Sequence, residues 1–588
     1  MRKADIVSLS LAACGVVLIW VYLDSVRLFQ ELSFEVLIAG AVICASGMVF
    51  TYIMLSTRRI HRYTSLLFLF IVSYGLLTLY SFRYDILGGF DVIGEYTIAS
   101  KSLSTGRWPI EALNIGSLDR AGRYANCLSV TILPTVLSRV TGFDVLPIFK
   151  FVLPAIGALA PILLALVVSH VFGDEKLGFL SGVLFAASHL QIFMLSYMFR
   201  EQIGYFFLLL SMYMFLKLKA SKFLAIIPVM GLLLADAGHV VTDLAAFYFF
   251  ALAFAPFVFP LRGRKPLKTI AREQIASISI FFSYISLMIL WMFLSASRLL
   301  EQRVGIIDRI LSELPKYVPV YINKVLTTGE IFPSTSIGAL SIEVSGILRI
   351  WYYLAIIIPG VALVYAAIRL SRRPTRAFWV TIGFLVFFTY GGLVLGGAFI
   401  PELNSSRIAA DPIFASFTAV AFTLIWALKN HGRVRFLAVL TLIFIFLSLP
   451  LNMSLIDHDR ILHYHSENSM APENRAPYSY IDYSYLQDAT WVTQNIDSED
   501  WISVDLAGFN IAYLADHVNK TYMSFPVYSA QSKFLIVPEY YWESEVWVSA
   551  FPPSVHPTQD VGMSQLLQDN RLVYNNGEIM ILMRHRAP

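Results

Sequence analysis

Two carboxylates stand four residues apart in Gly88-Gly89-Phe90-Asp91-Val92-Ile93-Gly94-Glu95-Tyr96. On a helix that spacing puts both acids on one face, close enough to hold a proton, a divalent cation or a sugar hydroxyl between them. Spacing alone also fits an ordinary solvated loop, since D-x-x-x-E is a common pattern. Three later segments carry further polar groups. Arg200-Glu201-Gln202 offers a phosphate contact, or an arginine that snorkels to a membrane interface. In the turn Asp236-Ala237-Gly238-His239-Val240-Val241-Thr242-Asp243, His239 can bind phosphate, sugar or a metal, or simply cap the turn. Arg407, after Asn404-Ser405-Ser406, carries a planar fork of donors that suits phosphate; an interfacial anchor is the plainer role.

The elements that must position these residues are membrane helices. Of 588 residues, 57% are hydrophobic and 14% charged, with mean hydropathy +0.66, whereas a soluble domain carries roughly a quarter charged residues. Apolar runs of the length needed to cross a bilayer recur about thirteen times. They lie near 5–24, 34–56, 63–82, 149–171, 176–196, 203–217, 222–236, 240–261, 274–295, 347–369, 377–399, 413–428 and 436–453. Twenty-one Lys and Arg fall in the short loops of one side, from Arg2 and Lys3 to Arg433 and Arg435. The opposite short loops hold only Arg27, Arg200 and Arg407. This asymmetry predicts a multi-pass cell-membrane protein with a cytoplasmic N-terminus and an odd span count, so that the chain after Met453 is extracytoplasmic. The net charge of +4 is spread between spans and offers no nucleic-acid patch. Cys14 and Cys44 fall in apolar runs and Cys127 stands alone, which gives neither a disulfide framework nor a zinc site.

The expected organisation is therefore a transmembrane domain over 1–453 and an outer domain over 454–588. Long outer loops run over 83–148 and 296–346, and loops of that length are usually functional. The first holds a semi-apolar stretch, Leu128 to Val140, broken by Pro134, that reads as a helix lying at the interface. The tail reads as an α/β domain: an amphipathic helix over Leu486–Asn495, strands over Trp501–Asp505 and Thr521–Phe525, and a hairpin from Arg571 to Arg584 turning at Asn575-Asn576-Gly577.

An acidic outer loop with D-x-x-x-E-Y, followed by Gly106-Arg107-Trp108, resembles the GT-C glycosyltransferases, membrane enzymes that use polyprenyl-phosphate-linked sugars. Asn126 to Pro134 and Arg200-Glu201-Gln202 also resemble an archaeal-type family of uncharacterised multipass proteins. The resemblance implies a GT-C-like fold of some thirteen helices, with the third to ninth spans forming the module after two extra N-terminal spans. It implies a glycosyltransferase of the cell envelope in which Asp91 is the base and Glu95 assists it or shares a divalent cation, Mg or Mn. Arg200, Glu201, His239 and Arg407 become the substrate-binding candidates. The implied partners are the polyprenyl-phosphate-linked sugar, membrane lipids and a glycan, lipid or protein acceptor, without nucleic acid.

A multipass transporter, a lipid-linked glycan flippase and a polymer ligase are the alternatives. A transporter places ionisable groups mid-membrane, whereas the spans here carry few at their centres. An oligosaccharyltransferase shares the thirteen-span plan and the outer tail, but its W-W-D signature is absent, since Trp491, Trp501, Trp542 and Trp547 stand apart. Transfer of a single sugar is the preferred reading.

Overall fold

The computed structural model describes residues 2–27, 34–83, 87, 90–108, 127–187, 199–217 and 267–295, short pieces between 229 and 450, and 483–497, 500–503, 521–522, 532–538, 546–550, 553–557, 570–575 and 579–584. Most of the expected spans between 347 and 453, the loop over 296–346, His239 and Arg407 lie outside these residues, as does most of the chain between 218 and 266.

In lipid every backbone group must find its partner within the protein, so apolar runs form helices. Among the described residues three helices are long and apolar enough to cross a membrane: Lys3–Ser25, Glu35–Ser56 and Val145–Phe172. The first two lie within α1 (Lys3–Arg27) and α2 (Phe34–Ser56). They pack closely because Gly15 and Gly40 face each other without side chains. The third helix, Arg62–Leu77 (α3), joins them at one end through Asp5. The Asp5 carboxylate is fully buried and accepts from the Arg2 amide at 2.7 Å, the His61 amide at 3.1 Å and the Thr64 hydroxyl at 2.7 Å. One acid thereby satisfies donors at the starts of two helices.

The run expected as a single span over 63–82 is divided. α3 stops at Leu77, Thr78 turns, and a short α4 (Leu79–Arg83) resumes. The break follows from Thr78, whose hydroxyl donates back to Tyr74 and Gly75 carbonyls at 2.8 and 3.2 Å and competes with the ladder. The outer loop then forms α5 (Phe90–Thr105) and α6 (Leu128–Thr141), the latter ending on Gly142 at φ 76°, a left-handed helix terminus. Thr135 donates to the Ala99 carbonyl at 3.1 Å and Arg139 to the Leu103 carbonyl at 2.8 Å, which ties α6 to α5. α6 is helical as expected but runs on through Pro134 rather than breaking there, and it leaves Val136 and Val140 exposed.

The next span, α7 (Val145–Phe172), carries Pro147, Pro154 and Pro161. Pro154 has no N–H for the Lys150 carbonyl. The chain answers with a π-turn over Ile148–Val152, in which the Leu153 amide reaches Ile148, while the Ser81 hydroxyl donates to Lys150 O at 2.7 Å. α8 (Glu175–Ala186), α9 (Phe199–Lys217) and α10 (Leu267–Ser295) follow before the tail.

The tail contains α11 (Tyr483–Asn495) and a five-stranded mixed sheet. Its strands are β1 (Trp501–Ser503), β2 (Thr521–Tyr522), β3 (Ser532–Pro538), β6 (Asn570–Asn575) and β7 (Ile579–Arg584), in the order β2-β1-β3-β7-β6. β1 is parallel to β2 and β3; β7 is antiparallel to β3 and β6. β4 (Val546–Ala550) and β5 (Pro553–Pro557) form a separate antiparallel pair. Ala489, Val492 and Ile496 of α11 share one buried cluster with Ile502, Phe534, Ile536 and Ile581 of the sheet. The same cluster takes in Leu87, Val92, Ile98 and Cys127 of the outer loop, Ile148 and Phe149 of the π-turn, and Phe199 and Ile203 of α9. The tail and the acidic loop are thus parts of one apolar core.

Candidate functional site

α5 begins at Phe90, immediately before Asp91, so that acid occupies the first helical turn, where the backbone dipole favours negative charge. Its side chain lies outside the described residues. Glu95 follows one turn later, as the spacing predicts. Its side chain is 1% exposed, with Oε1 3.4 Å from Arg200 Nη1. Arg200 Nε in turn lies 3.7 Å from Glu201 Oε2, and both of those side chains are at least nine-tenths buried. Arg200 is therefore set inside the protein between two carboxylates, which removes the snorkelling alternative. Phe199 opens α9, so Arg200, Glu201 and Gln202 all stand in its first turn.

Gly157 makes this approach possible. A Cβ there would meet Gln202 Cβ and Oε1, each at 2.8 Å, and Leu77 Cδ1 at 3.2 Å. α9 can come close to α7 only because residue 157 has no side chain. Phe149 and Phe199 meet edge to face at 5.5 Å beside the cluster, and Tyr96 lies edge-on to Phe149 at 5.9 Å. Burial raises the Tyr96 hydroxyl above its usual range, and the nearby Asp144 charge pushes the same way. Tyr96 therefore stays a neutral phenol at ordinary pH.

The ion cluster carries one more negative than positive group before Asp91 is counted. A phosphate placed against that surplus negative charge would be repelled by it. A divalent cation is part of what the GT-C resemblance implies. Among the described residues no three His, Cys, Asp or Glu side chains gather as a metal site would. The two described acids both face the Arg200 guanidinium, which would repel a cation placed between them. These described side chains do not by themselves fit the ion.

The structure thus brings together Glu95, Arg200 and Glu201 of the sequence candidates and carries Asp91 on the same helix as Glu95. His239 and Arg407 are not among the described residues. Gly157 was not legible as part of the site, because nothing in its neighbourhood in sequence marks it; only the packing of Gln202 does.

No family model matches the chain, and no curated protein matches it. Among solved structures it is similar to the oligosaccharyltransferase of Archaeoglobus fulgidus in the apo form, with a TM-score of 0.50 and 13% identity over 85% of this chain and 75% of that one. A second likeness, to ArnT from Cupriavidus metallidurans bound to undecaprenyl phosphate, has a TM-score of 0.42 and 11% identity over 92% of this chain and 98% of that one. The first is a likeness of fold across most of both chains, and it shows that this chain shares the fold of that oligosaccharyltransferase. The resemblance read from the short motifs is met by the architecture.

Proposed function

We propose that the protein transfers a sugar from a polyprenyl-phosphate donor to an acceptor hydroxyl on the outer face of the membrane, with Asp91 as general base. The observation that carries this reading is the pairing of Glu95 with Arg200. It fixes the helix that begins at Phe90 against α9, with Asp91 in the first turn of that helix. In the step itself Asp91 takes the acceptor proton as the acceptor oxygen bonds to the anomeric carbon. The carbon–oxygen bond to phosphate breaks, and polyprenyl phosphate leaves with the electron pair. A positioned base of this kind contributes about 10²- to 10⁴-fold. His239 and Arg407 are assigned to the donor phosphate, and Arg200 and Glu201 to holding Glu95 and the bound acceptor in place.

The orientation has two supports. Arg2 donates to the Arg58 carbonyl at 2.8 Å and Arg62 pairs with Glu175 at 3.4 Å, so the basic residues of three early segments share one end of the bundle, assigned to the cytoplasm. The tail and the acidic loop share one apolar core and therefore one side, as an even number of spans between them requires. Charges in the three described spans sit near their ends, at Lys3, Asp5, Asp24, Glu35 and Lys150, which disfavours a transporter.

Purified protein assayed with radiolabelled polyprenyl-phosphate sugars, with and without Mg²⁺, Mn²⁺ or chelator, tests the proposal. Turnover of one donor that disappears in Asp91→Asn while membrane insertion persists is the expected result. Normal turnover in that variant overturns Asp91 as base, and failure of every donor overturns the reaction class.

A further inference from the structure

The two helices that precede the GT-C module have an outer end as well as the Asp5 end, and that outer end contacts the path into the acidic loop. Trp20 of α1 donates its indole N–H to the Gly75 carbonyl at 3.2 Å, in the last turn of α3. Gly75 permits this, because a Cβ there would collide with Val16 one turn earlier on α1. The same carbonyl receives the Thr78 hydroxyl, so the indole sits on the break between α3 and α4. The Trp20 ring then stacks on Phe82 of α4, with centroids 4.6 Å apart and planes at 20°, and meets Tyr74 edge-on at 6.1 Å. On the far side of α4, Phe82 meets Phe151 of the π-turn at 6.1 Å, and Ser81 holds the Lys150 carbonyl. α4 is clamped between α1 and α7, and the chain leaves it at Arg83 to start α5 seven residues later.

We infer that Trp20 is a positioning residue for the acidic helix: it fixes the direction and height at which the chain leaves the membrane and so where Asp91 stands. The N-terminal hairpin thereby belongs to the working site although it contributes no group that touches substrate. The activity part of this inference rests on the glycosyltransfer reading above; the structural part does not.

The test compares Trp20→Ala, Trp20→Phe and, as a control on the lipid-facing side of α1, Val17→Ala, each in full-length protein in lipid nanodiscs. Hydrogen exchange over residues 90–105 is measured alongside turnover of the polyprenyl-phosphate sugar used by the parent protein. Trp20→Ala is expected to speed exchange over 90–105 about tenfold, as local opening becomes easier. Its kcat is expected to fall about tenfold with donor KM within about twofold, since a displaced base costs the chemical step more than binding. Trp20→Phe keeps the stack and loses the indole donor, so it falls between parent and alanine, and it carries the test if Trp20→Ala does not insert. Val17→Ala leaves both readouts unchanged. Parent-like exchange, or parent-like kcat beside altered exchange, overturns the positioning role. If the parent turns over no donor, the proposed reaction fails and the exchange measurement alone decides the inference.

Discussion

Arg200 Nη1 lies 3.4 Å from Glu95 Oε1, with neither side chain more than 8% exposed, so a charge from the first turn of α9 is matched by one from the outer-loop helix. Removing Arg200 leaves the buried carboxylates of Glu95 and Glu201 uncompensated, at a cost of about 3–5 kcal/mol, whereas removing Glu95 leaves Arg200 beside Glu201 and costs less. Arg200→Gln should lower the unfolding midpoint in detergent by several degrees and Glu95→Gln by less, and a double-mutant cycle should show coupling. Additive losses would mean that the two groups do not act on each other.

The close approach at Gly157 gives a second test. Gly157→Ala forces Gln202 aside and shifts Arg200 from Glu95, with an expected loss of about 1–3 kcal/mol, the usual cost of overpacking. Truncating the opposing side chain in Gly157→Ala/Gln202→Ala should recover part of it. A double variant no better than the single one would place the strain elsewhere.

Tyr96 supplies a pH dependence. Its raised hydroxyl means that the folded protein holds that proton more tightly than the unfolded chain does. The resulting stability is fully present below pH 10 and is lost as pH rises through the folded value. Unfolding measured from pH 9 upward should therefore show a decline that Tyr96→Phe reduces.

The shared core of tail and loop predicts that damage to one loosens the other. Val492 is fully buried in α11 within the cluster that includes Val92 and Ile98 of α5. Val492→Asp buries a charge without a designed partner. Limited proteolysis should then cut within 84–126 sooner than in the parent protein. Protection unchanged there would separate the two units.

The long apolar helices and the α5 carboxylate spacing could be read from sequence because both depend on local pattern: hydrophobic length and a four-residue period. α11 and the hairpin from β6 to β7 were legible for the same reason, in amphipathic period and turn residues. What could not be read is set by contacts between distant residues. The stop at Thr78 depends on competition for helix carbonyls and on an indole from α1. β3 escaped notice because Ser-Lys-Phe-Leu-Ile-Val-Pro lacks alternation; with β1 on one side and β7 on the other it is a central strand, and its Leu535 and Ile536 are fully buried. The burial of Arg200 was equally invisible, since an arginine after an apolar run ordinarily reaches for water.

The Asp5 carboxylate bears on how the protein is made. Its three donors, at residues 2, 61 and 64, are all synthesised before the acidic loop. The first three helices can therefore close their own polar ends in the bilayer as soon as Thr64 has entered it. Nascent α5 then emerges beside a finished wall rather than into open lipid, and a lesion at Asp5 would act as a defect of biogenesis, lowering the amount of protein without altering the turnover of what survives.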